Sequence, residues 1–167
     1  MKLPVVDVTV SMNEIPDHIA VAVEFGNCKQ KCKGCHSEWL STPLPKKSWM
    51  DMETLMYLVN KQVKNGADAI VLMGGTSNGV PIDDLIKAIN ILSCYAPVGL
   101  YSGLPEKAAI HNRLMSSDVK LSWIKVGNYD AEKGGLTSPT TNQHFYQRYK
   151  EHMWVDVTNL FRRKTDY

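Results

Sequence analysis

Apolar residues recur along this chain with two alternating periods. Residues 5–10 and 19–25 read as strands, and the second is nearly continuous in apolar side chains, as in a strand buried on both faces. A proline-rich connection follows at 41–47. Asp51 then opens a helix in which Leu55, Met56, Leu58, Val59 and Val63 share one side, and Asn65-Gly66 supplies the stop. Residues 69–73 are a short apolar run ending at Gly74-Gly75, which predicts a buried strand. Pro81 starts a second helix, with Leu85, Ile86, Ile89 and Leu92 at helical spacing. Residues 97–101, 105–116 and 119–126 continue as strand, helix and strand.

Short connections between alternating strands and helices predict an α/β fold of parallel βαβ units, with helices covering the sheet. A complete eightfold barrel takes ~250 residues. A chain of 167 residues builds only part of one, so the expectation is a single domain over 1–167 forming a partial, open parallel β/α barrel. No internal repeat or low-complexity segment interrupts it. Ligands of such sheets bind at the carboxyl ends of the strands. That rule selects the loop beginning at Cys28, the turn Gly74-Gly75-Thr76, the pair Ser102-Gly103 and the pair Gly127-Asn128.

Composition narrows the class. With 44% hydrophobic and 22% charged residues, the chain has the make-up of a soluble globular domain. No apolar run approaches the ~18 residues of a membrane span. Pro4 and Asp7 stand where a signal peptide needs apolar residues, so a cytoplasmic location with no membrane partner is expected. A net charge of +2 gives no ground for a nucleic-acid partner. Arg162-Arg163-Lys164 reads as a solvated tail.

The four cysteines change the picture most. Three of them, Cys28, Cys32 and Cys35, fall within one loop at C-x3-C-x2-C spacing. Crowded thiols in a chain without an export signal favour metal over disulfides. Four-iron clusters normally use four cysteines, so a set of three leaves one iron open for chemistry. Lys29, Lys31 and Lys33 alternate through the loop; they are either a solvated edge or a positive rim that attracts an acidic electron donor and offsets thiolate charge. His36 would complete a Cys3His zinc site, although such sites draw their ligands from two separated pairs. Cys94, on the apolar helical stretch 86–95, reads as a small buried side chain rather than a fourth ligand. Ser102 and Asn128 are placed to contact a ribose or a carboxylate, or simply to form turns. Trp39, Trp49, Trp123 and Trp154 read as core or interface aromatics. No Ser-His-Asp order, phosphate loop or catalytic carboxylate pair stands out.

The cysteine loop after a buried strand, with a Gly-Gly turn after a later one, resembles the radical S-adenosylmethionine superfamily. Within it, the chain is most similar to the activating proteins of anaerobic ribonucleoside-triphosphate reductase. The likeness spans roughly residues 18–146. It rests on 19–25 running into Gly26-Asn27-Cys28, and on Lys33-Gly34-Cys35-His36, where the family often has Pro-Gly-Cys-Tyr. It also rests on Lys125-Val126-Gly127-Asn128-Tyr129, Gly134-Gly135-Leu136 and Thr141-Asn142-Gln143.

The resemblance implies a [4Fe-4S] cluster on Cys28, Cys32 and Cys35. It implies S-adenosylmethionine bound by Gly34, His36, Gly74, Gly75, Thr76, Ser102 and Asn128. It further implies hydrogen abstraction from a glycine of a large glycyl-radical reductase subunit, with electrons from a small flavodoxin- or ferredoxin-type donor. No side-chain base is needed for that abstraction, so no catalytic residue beyond the cofactor ligands is expected. The family's Gly-Gly-Glu-Pro or Gly-Gly-Asp-Pro turn is here Gly74-Gly75-Thr76-Ser77. The Thr76 hydroxyl or main-chain carbonyls must therefore accept the hydrogen bond from the methionine amino group that a carboxylate accepts elsewhere. Two other readings stay open: a small-molecule radical enzyme of the 7-carboxy-7-deazaguanine synthase type, and a non-catalytic iron–sulfur or zinc module.

Overall fold

The computed structural model describes residues 1–30, 32, 41 and 43–162. Seven strands form one mixed sheet. Strands β2 (Val5–Ser11), β3 (Ala20–Phe25), β5 (Ala69–Met73), β6 (Val98–Tyr101), β7 (Leu121–Val126), β8 (His144–Lys150) and β9 (Met153–Asp156) lie side by side in that order. Two short strands, β1 (Lys2–Leu3) and β4 (Met50–Asp51), pair separately and fasten the N-terminus to the start of α1 (Met52–Lys64). Helices α2 (Ile82–Leu92) and α3 (Ala109–Leu114) complete the crossovers.

The four central strands, β3, β5, β6 and β7, are parallel, as the alternation of periods predicts. The sheet is not parallel throughout: β2 runs antiparallel to β3, β8 to β7, and β9 to β8. Its edges, β2 and β9, stay open, and the described strands form no closed barrel.

Each crossover advances one place in the same direction, and right-handed crossovers of that kind put every helix on one face. The buried residues agree. Val21, Val23, Phe25, Ile70, Leu72, Val98, Leu100 and Ile124 share a core with Leu55, Val59, Leu85, Ile89, Leu92 and Leu114. Alternate strand positions, Ala20, Ala22, Ala69, Val71 and Trp123, point to the other face and form a smaller core with Ile15 and Phe145. Among the described residues no α-helix covers that second face; Phe161, from the short 3-10 turn at Thr158–Arg162, packs against it. The loop between β2 and β3 crosses it and seats Ile15 over Gly99, where an added Cβ would come within 2.9 Å of the Ile15 Cδ1.

Asp51 caps α1, its carboxylate accepting from the Thr54 amide at 2.7 Å, and Gly66 leaves the helix at φ +117. Helix α3 is shorter than the apolar pattern predicts. The Glu106 carbonyl, which would carry the first turn, is taken instead by the His111 ring. No helix among the described residues is long and apolar enough to cross a membrane.

Candidate functional site

Four parallel strands deliver their carboxyl ends to one edge of the sheet, and a cavity of about 480 Å³ opens there. Cys28 and Cys32 line it, together with Gly74 and Thr76 from the loop after β5, and Tyr101 and Lys125 from the ends of β6 and β7. Asn13 and Glu14 from the loop after β2 and Leu136, Gln143 and Phe161 from the C-terminal third close its other side.

The cysteine loop leaves β3 at Asn27, which adopts φ 60, a left-handed conformation that asparagine tolerates better than most residues. Its side-chain amide accepts from the Leu44 N–H and donates to the Leu44 carbonyl, so the two ends of the loop are clamped together. A second set of bonds ties this loop to the Gly-Gly loop. The Lys29 N–H donates to the Ser77 carbonyl at 3.0 Å, and the Gln30 amide to the Ser77 hydroxyl at 3.1 Å. The central stitch is Asn78, which is 1% exposed. Its Oδ1 accepts from the Gly75 N–H at 2.7 Å, and its Nδ2 donates to the Gly26 carbonyl at 2.6 Å.

Gly74 and Gly75 both hold φ near +115, at +117 and +114, where an L side chain is strained. They also pack closely. A Cβ on Gly75 would lie 2.8 Å from Leu85 Cδ1 and 3.1 Å from Phe25 Cε2, and one on Gly74 would lie 3.0 Å from Asn78 Oδ1. The glycine pair is therefore required by the packing of this loop on β3 and α2, quite apart from any ligand.

Behind the cavity wall runs a buried polar chain. Thr76 Oγ1 lies 3.0 Å from Ser102 Oγ, which lies 2.8 Å from His111 Nε2, while His111 Nδ1 meets the Glu106 carbonyl at 3.1 Å. Burial holds the His111 pKa below the ordinary imidazole value, and the nearby Lys125 ammonium acts in the same direction. The Lys125 ammonium donates to the Ser102 and Gly127 carbonyls at 3.1 and 3.0 Å and lies over the Tyr101 ring. Tyr101 in turn donates its phenolic proton to the Glu14 carbonyl at 2.6 Å. Desolvation raises the Glu14 carboxyl above its usual range, outweighing the nearby Tyr101 hydroxyl and the attraction of Lys125. The cavity thus holds an ammonium and a carboxylate between apolar walls.

The sequence-selected residues divide into three groups. Cys28, Cys32, Gly74 and Thr76 come together on the cavity wall. Gly75 and Ser102 lie behind it, buried, and support Thr76 and Asn78 rather than facing the cavity. Asn128 is not on the wall; its carbonyl accepts from Asn142. Gly34, Cys35, His36 and Trp39 lie outside the described residues. Among the described residues no three His, Cys, Asp or Glu side chains form a metal-holding group.

Cys94 is exposed, not buried, because α2 ends at Leu92 and the chain turns outward there. It precedes β6 and so sits at the end of the sheet opposite Cys28, which excludes it as a fourth ligand. Of the tryptophans described, Trp123 is buried in the second core, while Trp49 and Trp154 are half-buried. Asn78, His111, Glu14 and Tyr101 were not signalled by the sequence. Only the strand-end position of Tyr101 and the Ser-Asn-Gly turn around Asn78 hinted at them.

Cys28 also borders a second groove, of about 720 Å³, with Lys29, Lys46 and Trp49 along it and no acidic residue among the described residues of its lining. Comparison with models of known protein families, with curated protein sequences and with solved structures finds no match to this chain.

Proposed function

We propose that the protein is a radical S-adenosylmethionine activase that generates a glycyl radical on a large reductase subunit. One observation carries the reading: two thiols of the C-x3-C-x2-C loop, with Gly74 and Thr76 of the Gly-Gly-Thr turn, line a single cavity at the carboxyl ends of parallel strands. The one-sided winding of the helices supports a partial barrel, since that is how barrel segments are wound.

The residues present fit the cofactors. Cys28 and Cys32, with Cys35 of the same motif, supply soft thiolate donors suited to an iron–sulfur cluster. The cavity offers Lys125 toward a carboxylate, Thr76 toward an ammonium, Glu14 toward hydroxyl or amine groups, and Met73 and Leu136 toward an adenine face. When bound, the cluster supplies the electron that splits the sulfonium carbon–sulfur bond, giving methionine and a 5′-deoxyadenosyl radical. The chain's own residues bind, orient and exclude water. Lys125 holds a carboxylate end by charge, Thr76 and Glu14 take amine or hydroxyl groups by hydrogen bonds, and the buried Asn78 keeps the cysteine loop and the Gly-Gly loop at a fixed spacing. The second groove beside Cys28, with Lys29 and Lys46, suits an acidic electron donor.

The test is anaerobic reconstitution with iron and sulfide, followed by reduction in the presence of S-adenosylmethionine. A four-iron spectrum and release of 5′-deoxyadenosine are expected, both abolished by Cys28→Ala. Adding a glycyl-radical reductase subunit should give a glycyl doublet in the electron paramagnetic resonance spectrum. Cofactor loading without 5′-deoxyadenosine would leave a non-catalytic metal module as the better description.

A further inference from the structure

The function proposed above asks one thing of Thr76: with no carboxylate at its position, its hydroxyl must accept a hydrogen bond from a ligand ammonium. A threonine hydroxyl both donates and accepts, so its behaviour depends on where its own proton is committed. The polar chain behind the cavity fixes that commitment from its far end. The Glu106 carbonyl only accepts, so its 3.1 Å contact with His111 requires the proton on Nδ1. In the neutral ring this leaves Nε2 as an acceptor. Its partner at 2.8 Å is the Ser102 hydroxyl, whose single proton must go there. The Ser102 oxygen then accepts from the Leu104 N–H at 3.2 Å and from the Thr76 hydroxyl at 3.0 Å. Ser102 has one proton and two lone pairs, and all three are used. The Thr76 proton is directed into the protein, which leaves its oxygen only acceptor capacity to offer a ligand in the cavity that Thr76 lines.

We propose that the Glu106 carbonyl, His111 and Ser102 form a polarity relay that presents Thr76 to the cavity as a hydrogen-bond acceptor and so selects ligands carrying a primary ammonium. His111 and Ser102 are positioning residues: both are buried, and neither lines the cavity. Naming S-adenosylmethionine as the ligand rests on the function proposed above; the polarity itself does not.

Protonation would reverse the relay. An imidazolium donates from both nitrogens, so Ser102 would have to accept from Nε2 and turn its own proton toward Thr76. The Thr76 proton would then point into the cavity and repel an ammonium. Burial and the Lys125 ammonium both oppose that protonation, whereas the Glu106 carboxylate, itself held by the Tyr146 hydroxyl, favours it. The neutral ring at working pH is therefore part of the device.

Two probes test the proposal on the reconstituted protein: S-adenosylmethionine, and 5′-methylthioadenosine, which lacks the amino and carboxylate groups. Thr76→Ser keeps the hydroxyl and should bind both within about twofold of the parent, whereas Thr76→Val and Ser102→Ala should weaken S-adenosylmethionine about tenfold and leave methylthioadenosine within about twofold. Preference for the amine-bearing probe should also fall on acidification in the parent, and more steeply than in Thr76→Val, where only Glu14, the carboxyl on the cavity wall, still responds. Equal losses for the two probes, or a parent profile no steeper than that of Thr76→Val, would overturn the relay. An independent readout is the ¹⁵N resonance pair of His111 at about pH 7.5, expected to report a neutral ring protonated on Nδ1. A ring protonated on Nε2, or an imidazolium, would overturn the proposal even if both ligands bind. If the parent binds neither probe, the cofactor reading fails while the imidazole resonances still decide the relay.

Discussion

Asn78 shows how much of this site rests on a residue without chemistry of its own. It joins the Gly75 N–H to the Gly26 carbonyl, and its partner in β3's exit loop is 52 positions away in sequence. Asn78→Ala leaves both groups buried and unbonded, which should cost about 2 kcal/mol in urea unfolding. Under the proposed function it should also weaken cluster retention by more than that loss of stability explains. In the sequence Asn78 is one residue of a Ser-Asn-Gly turn, and nothing local distinguishes it from any other turn asparagine. His111 is similar: a lone histidine whose role depends on Ser102 and the Glu106 carbonyl. Its lowered pKa has a sign that can be checked. Because folding disfavours the imidazolium, its contribution to stability is intact above about pH 6.5, the unfolded value, and is lost as pH falls below it toward the folded value. Unfolding free energies of the parent and His111→Gln should therefore differ less at acid pH than at neutral pH. A difference that grows on acidification would show that the ring is stabilised as the cation.

At the scale of elements, the apolar periods locate the four parallel strands and the helices between them, because each is buried by the layer it packs on. The antiparallel strands are less legible. β8 reads His-Phe-Tyr-Gln-Arg-Tyr-Lys, and only Phe145 in it is fully buried, so it lacks the apolar run of a central strand. What holds β8 is polar and non-local. Arg148 donates from Nε to the Leu121 carbonyl at 2.7 Å and from Nη2 to the Ser116 and Val119 carbonyls at 3.1 and 3.0 Å, while its plane lies over Trp154. This ties β8 and β9 to the start of β7. Arg148 also donates from Nη1 to the Glu151 carbonyl, so Arg148→Leu removes donors from four carbonyls together with the stacking, and should cost about 2–3 kcal/mol. Amide exchange in β8 and β9 should rise well before exchange in β5 and β6. Uniform acceleration across the sheet would mean that these strands unfold only with the whole domain.

For the whole molecule, one-sided winding leaves the second sheet face to loops, and those loops enclose the cavity between Glu14, Leu136 and the strand ends. Cys28 borders both this cavity and the second groove, which bears Lys29 and Lys46. If electrons enter by that groove, the double variant Lys29→Glu/Lys46→Glu should slow 5′-deoxyadenosine formation about tenfold with an acidic flavodoxin-type donor at low salt, and leave the rate with dithionite unchanged. Equal rates for both proteins with the protein donor would place the docking surface elsewhere. The sequence by itself determined the α/β class, the parallel core, the candidate cysteine motif and the edge of the sheet on which it falls. These are properties of period and spacing, carried by neighbours along the chain. Only the tertiary structure decided which residues face the cavity and which stand behind it, because that depends on side chains meeting across loops tens of residues apart. It moved Ser102 from a candidate ligand contact to a buried link, removed Cys94 to the opposite end of the sheet, and brought Asn78, Glu14 and His111 to the site. Thr76 was legible as a departure from the pattern of the superfamily that the sequence resembles. Which way its proton points was not, since that is set by a main-chain carbonyl and a buried histidine on another segment.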